Sequence, residues 1–270
     1  MQEMISYKIY GAGAPVLLIH GFGEDSRIWN HQIDFLKTSC QLIVPDLRGS
    51  GASAALPPPG SIEQMAEDIL QILNEERTEV CTVIGHSMGG YIALALMEKY
   101  PHRFHALGLI HSTAYADNEE KKQARLKSIE FIQQNSAYEF IKATIPNLFA
   151  DKFKQEHTGL VAELIEQGRQ FSKEVLIGYY TAMINRPART TLLQQTNKPV
   201  LFFIGSEDKA VNPADALQQA SLPAITMIKY IEEIAHMGMW EATSVLNRTL
   251  EEFLQLVQQI NRPTALSNSK

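Results

Sequence analysis

Apolar residues in this chain gather in short continuous runs. Val16-Leu17-Leu18-Ile19, Leu42-Ile43-Val44, Val80-Cys81-Thr82-Val83-Ile84, Leu107-Gly108-Leu109-Ile110 and Val200-Leu201-Phe202-Phe203-Ile204 are the clearest. Runs of this length predict strands covered on both faces. Met4 to Tyr10 reads as an opening strand and Ile225 to Ile231 as the last. Between the runs the spacing becomes helical. Ile28, Trp29, Ile33 and Leu36 share one face, as do Tyr91, Ala95, Leu96 and Lys99 before Pro101. Ser61 and Gln64 form a capping box for a helix through Leu73. Asn212 and Pro213 suit the cap and first turn of another. Glu241 to Ile260 predicts the final helix. Strands alternating with helices imply parallel pairing through right-handed crossovers. Sites in such sheets form beyond the carboxyl ends of the strands.

The alternation stops between about Asn118 and Arg186, where only helical patterns occur. Leu126, Ile129, Phe131 and Ile132 mark one helix. Phe140 with Ile141, Leu160 with Leu164, and Val175 with Tyr179, Met183 and Ile184 mark others. A chain of 270 residues is thus one large α/β domain with a helical insertion. The formal net charge of -6 is spread without blocks, which argues against a nucleic-acid partner. No run reaches membrane-spanning length, and the N-terminal residues lack a signal-peptide pattern. Cys40 and Cys81 lie in or beside apolar runs and read as reduced, buried thiols. The expected location is cytoplasmic, and the expected partner is a small-molecule substrate rather than a membrane. Oligomeric state leaves no mark in the sequence.

The stretch with the most chemistry is Gly85-His86-Ser87-Met88-Gly89-Gly90, between a strand and a helix. A strand reversing directly into a helix brings its backbone so close to itself that only glycine fits beside the turn. Serine is then held on the corner at a helix N-terminus, where the dipole favours negative charge. A serine hydroxyl needs a base, and the base needs an orienting carboxylate. Asp208 in Gly205-Ser206-Glu207-Asp208 is the acid candidate, with Glu207 as its competitor. His236 in Ala235-His236-Met237-Gly238 is the base candidate. The order Ser87, Asp208, His236 is the order that this corner requires. Oxyanion donors are expected from the backbone N–H of Met88 and from the His20-Gly21-Phe22-Gly23 turn, at Phe22.

Other histidines compete poorly. The ring of His86 cannot turn back on its neighbour, and His20 braces its own turn. His111, at a strand end near the site, stays open as an alternative. His31, His102, His105 and His157 read as surface or packing residues and show no metal-ligand spacing. Asp46 and Arg48 are read as ties between loops. The glycines at 11, 13, 49 and 51 lack a phosphate-cradle pattern, so neither metal nor cofactor is expected.

These marks, with Trp29, Pro45-Asp46-x-Arg48-Gly49-x-Gly51 and Glu241, resemble the α/β-hydrolase fold family over nearly the whole chain. The resemblance implies an eight-stranded, mostly parallel, doubly wound sheet with an antiparallel strand among the first. It implies a core of residues 1–112 and 190–262, a helical cap at 113–189 and a flexible tail at 263–270. The serine points away from epoxide hydrolases and haloalkane dehalogenases, which carry aspartate there. It leaves esterases, thioesterases, enol-lactonases, carbon–carbon bond hydrolases and cofactor-free haloperoxidases. His20, Gly21, His111 and Met237 are expected against substrate, under an apolar pocket lined by part of the set Phe131, Phe140, Phe149, Phe153, Phe171, Tyr179, Tyr180 and Met183. Arg169, Arg186 and Arg189 are possible partners for a substrate carboxylate, although a solvated face suits each better. The leading expectation is cleavage of a small ester, lactone or thioester. The alternatives are hydrolysis of a carbon–carbon bond in a ring-cleavage product, and a slow receptor that keeps the triad.

Overall fold

The structure is a computed structural model that describes residues 4–262; the tail expected to be flexible lies outside the described residues. Seven strands form one sheet in the order β1-β3-β2-β4-β5-β6-β7. They are β1 (Tyr7–Tyr10), β2 (Ala14–Ile19), β3 (Cys40–Pro45), β4 (Cys81–His86), β5 (Phe104–Ile110), β6 (Val200–Gly205) and β7 (Thr226–Ile231). β1 runs antiparallel to β3, and every other pair is parallel. Helices α1 (Asn30–Leu36), α2 (Ile62–Glu75), α3 (Met88–Lys99), α10 (Pro213–Ala220), α11 (Gly238–Glu241) and α12 (Thr243–Ile260) belong to this framework. The segment between β5 and β6 holds α4 (Glu119–Gln134), α5 (Ala137–Thr144), α6 (Asp151–Glu156), α7 (Thr158–Gln167), α8 (Lys173–Asn185) and α9 (Thr190–Gln195).

The strands that read as continuous apolar runs are the central ones, and β4 and β6 are buried along their whole length. Three expectations need correction. Eight strands were implied, but the described residues form seven. The opening strand, expected from Met4, begins at Tyr7: the Ser6 carbonyl still accepts from the Asp46 N–H, but the Ser6 N–H turns to Ser53 Oγ. The last helix is broken at Ala242, whose backbone (φ -137, ψ 40) is not helical. In α4, Leu126 and Phe131 are 41% and 40% exposed, and only Ile132 is buried. Ile129 packs with Ile132 against the core, while Leu126 and Phe131 stand on the outer side. Cys40 and Cys81 are both buried and free. Among the described residues no helix is long and apolar enough to cross a membrane.

The corner after β4 shows why glycine stands there. A Cβ on Gly85 would sit 2.3 Å from the carbonyl carbon of Gly89, and one on Gly89 would sit 2.3 Å from the carbonyl oxygen of Ile19. Both obstacles are backbone, so neither can swing aside. Gly85→Ala should therefore lower the free energy of unfolding by about 3 kcal/mol, the upper range for overpacking. Urea denaturation of the two proteins measures the difference.

Candidate active site

Ser87 occupies the single residue between β4 and α3, with φ 50 and ψ -116. A left-handed backbone at a residue with a side chain costs about 1–3 kcal/mol and persists only where neighbours enforce it. Here the Ser87 N–H donates to the Ile110 carbonyl (2.9 Å), and the Ser87 carbonyl accepts from Ser112 Oγ (2.7 Å) and from the Gly90 N–H (2.9 Å). The hydroxyl has no hydrogen-bond partner within 3.5 Å among the described residues. Ser87 lines a cavity of about 300 Å³.

His236, in the loop after β7, lines the same cavity. Its Nδ1 lies 2.8 Å from Oδ2 of Asp208, which follows β6. A carboxylate only accepts at neutral pH, so Nδ1 carries a ring proton and Nε2 is the ring atom left free to face the cavity. No hydrogen bond joins that Nε2 to Ser87 Oγ among the described residues. Catalytic contacts of this kind are often long until substrate is bound.

Asp208 is 6% exposed and well supplied with donors. Oδ1 accepts from the Ala210 and Val211 N–H groups, both at 2.8 Å, and Oδ2 accepts from His236 and from His111 Nδ1 at 3.2 Å. Burial alone would raise its pKa, but His236 and His111 hold the carboxyl well below the usual carboxylate range. His111 Nε2 accepts from the Gly238 N–H (3.3 Å), which places the proton on Nδ1. Burial pushes its pKa down to about 4 despite the hydrogen bond to Asp208, so the ring stays neutral near pH 7. His111 therefore sits behind Asp208 as a second donor. Ligand atoms of His111, Asp208 and His236 lie within 4.8 Å of one another, close enough to hold a metal ion. Separations of 97 and 28 residues from Asp208 hid this from any reading by local spacing. The hydrogen bonds to Oδ2 already account for the cluster's compactness.

The loop bearing His236 is fixed from two sides. Glu241 accepts from the N–H groups of Ala235, Met237 and Ala150, and burial raises its pKa against the pull of those donors. The His236 N–H itself donates to the Leu148 carbonyl at 2.9 Å. Leu148 and Ala150 belong to the helical insertion, so that unit is tied directly to the histidine loop.

His86 turns away from the cavity. Its Nδ1 is 2.9 Å from Glu24 Oε2, and its Nε2 is 3.0 Å from the His236 carbonyl. Both neighbours are acceptors, which suits an imidazolium with two protons. Burial lowers the His86 pKa, but the charge of Glu24 and its hydrogen bond raise it further, for a net rise. Burial likewise opposes ionisation of Glu24, yet His86 and the Gly21 N–H hold it down. Glu24 Oε2 accepts from that N–H at 2.9 Å, which pins the turn containing Phe22. The N–H groups of Phe22 and Met88 have no protein acceptor among the described residues.

Among the residues expected against substrate, His20, Gly21, His111 and Met237 do not line the 300 Å³ cavity. His20 is fully buried, with Nε2 accepting from the Leu47 N–H and meeting Ser50 Oγ, both at 2.9 Å. Gly21 lies under Glu24, His111 lies behind Asp208, and Met237 faces a separate crevice beside Gly23. Of the aromatic and Met positions in the insertion, Tyr180 and Met183 reach the cavity. Arg186 and Arg189 are buried in ion pairs with Asp117 and with Glu63 and Glu98, and exposed Arg169 pairs with Glu166. Asp46 caps the Ser26 and Ala52 N–H groups, and Arg48 forks onto Asp68. Four charged lining residues were not anticipated from the sequence: Glu24, Lys121, Arg125 and Lys209. A signal for two of them was present, since Lys121, Ala124, Arg125 and Ser128 recur at helical spacing.

The alpha/beta hydrolase fold family matches residues 14–243. The chain belongs to that family. Its relatives include mouse protein ABHD8, 28% identical over 90% of this chain and 56% of that one. The chain thus spans about half the length of several curated relatives that it matches. The 3-oxoadipate enol-lactonase 2 of Acinetobacter baylyi is 23% identical over 93% of both chains. Among solved structures, a thermophilic esterase from Thermogutta terrifontis superposes with a TM-score of 0.88 at 28% identity, covering 94% of this chain and 93% of that one.

Proposed function

We propose that this hydrolase cleaves a small carboxylic ester, lactone or thioester through an acyl-enzyme at Ser87. The observation that carries the reading is one cavity lined by both Ser87 and His236, with the far side of that imidazole 2.8 Å from a buried carboxylate. Ser87 Oγ attacks the acyl carbon and its proton passes to His236 Nε2. Asp208 keeps the ring oriented and stabilises the imidazolium. The N–H groups of Met88 and Phe22 receive the oxyanion. Collapse of the intermediate breaks the bond to the leaving oxygen or sulfur, which takes the proton from His236. Water, activated by the same nitrogen, then attacks the acyl-enzyme, frees the acid and restores Ser87. The named activities of the enol-lactonase and esterase relatives are consistent with this chemistry.

A fluorophosphonate probe tests the nucleophile directly. Peptide mapping should find the adduct on Ser87, with hydrolysis of 4-nitrophenyl esters lost in proportion to labelling. Ester turnover that survives full labelling, or an adduct elsewhere, would overturn the assignment. Labelling of Ser87 without multiple turnover of any ester would favour the receptor reading.

A further inference from the structure

We infer that the substrate carries a carboxylate, received by Lys121, Arg125 and Lys209 in the wall of the cavity over Ser87. This deepens the hydrolase reading and rests on it. The first observation is the orientation of α4. Lys121, Ala124, Arg125 and Ser128 line the cavity at positions i, i+3, i+4 and i+7, one face of a helix. The same helix leaves Leu126 and Phe131 about two-fifths exposed. A helix packed for burial alone would do the reverse.

The second observation is the count of charges. Glu24, the acid in the lining, is already engaged by His86. Asp117 is shared by two guanidinium groups, Arg125 at 2.6 Å and Arg186 at 2.9 Å, which leaves a positive excess. Lys121 Nζ donates to the Ala210 carbonyl at 2.7 Å and meets no carboxylate within 4.0 Å among the described residues. Lys209, exposed at the rim, forms no ion pair within 4.0 Å among them, and the acid that feels its charge, Asp151, is already paired with Lys154. Asp208 lies behind the imidazole of His236. The wall is thus cationic in a chain whose net charge is -6. Like charges lining a cleft with apolar walls draw in the opposite sign. Phe22 and Tyr180, ring centroids 4.4 Å apart, supply an apolar stretch in the same cavity. The substrate class that matches is an acyl chain with the scissile bond at one end and a carboxylate at the other, as in a half-ester of a dicarboxylic acid or an acid-bearing lactone.

Mono-4-nitrophenyl adipate and its neutral isostere, the corresponding adipamate, read this directly. The wild-type protein should favour the acid in kcat/KM by about tenfold, a charge-assisted hydrogen bond at the low end of its range. Lys121→Met should cut that ratio most of the way to one, and Lys209→Gln, at an exposed site, by about threefold. Arg169→Gln, which removes a cation outside the cavity, should leave the ratio unchanged. A wild-type ratio at or below one, or a ratio indifferent to both lysine variants, overturns the inference. Calorimetry of adipate and adipamide with Ser87→Ala reads the same preference without turnover. Tighter adipate supports the inference and equal binding rejects it. Failure of the hydrolase reading looks different: neither ester is cleaved, or Ser87→Ala cleaves both.

Discussion

Ser87→Ala should lower kcat on 4-nitrophenyl butyrate about 10⁴-fold, and His236→Ala by a similar factor. The two changes together should cost no more than either alone. Nucleophile and base act in one step, so removing the second member of a broken pair removes nothing further. Steady-state rates on purified variants, with active-site titration of the wild type, measure all three. The residual rate would come from the Met88 and Phe22 amides and from binding. If Ser87→Ala kept about a tenth of the wild-type rate, the hydroxyl on the corner would not be the attacking group. Asp208→Asn provides a related check. Its amide can present Nδ2 to His236 Nδ1 and so favour the wrong tautomer, but the same change also alters the bonds from His111, Ala210 and Val211.

Glu24→Ala should be the most damaging single truncation of a polar group near the site. It leaves the Gly21 N–H without its acceptor and the fully buried His86 without its counter-charge. Breaking a buried pair in this way costs about 3–5 kcal/mol. The loss should vary with pH in a defined sense. His86 is held above the ordinary imidazole range, so its contribution is complete below about pH 6.5 and disappears as pH rises through the folded value. Glu24 is held below the ordinary carboxylate range, so its contribution is present above about pH 4.3 and disappears as pH falls through the folded value. The gap in stability between wild type and variant should be widest between those limits and narrow on both sides. Urea unfolding from pH 2 to 9 gives the profile. A gap that does not change with pH would mean that Glu24 and His86 are not an ion pair.

The parts of this architecture that were readable in advance are those set by periodicity and by backbone sterics. Continuous apolar runs read as strands covered on both sides, and the glycines around Ser87 stand where a Cβ would come as close as 2.3 Å to backbone atoms. Ser61 and Asn212 cap their helices as their spacing indicated. What lay hidden depends on side chains from distant strands meeting at the sheet's rim. His111 and His236 reach the same oxygen of Asp208 from different loops. His86 was correctly taken as unable to face Ser87, but nothing local shows that its partner is Glu24, 62 residues earlier. Of the apolar residues that mark α4, Ile129 and Ile132 pack inward and Leu126 and Phe131 do not, because a helix over a polar cavity need not bury its leucine. The eighth strand came from likeness to relatives rather than from any run in this chain.

The bond from the His236 amide to the Leu148 carbonyl has a bearing on how molecules enter and leave. With Glu241 clasping Ala150 as well, that side of the roof and the His236 loop behave as one piece. Lifting the roof there would pull the imidazole out of place, so this flank cannot shift without moving His236.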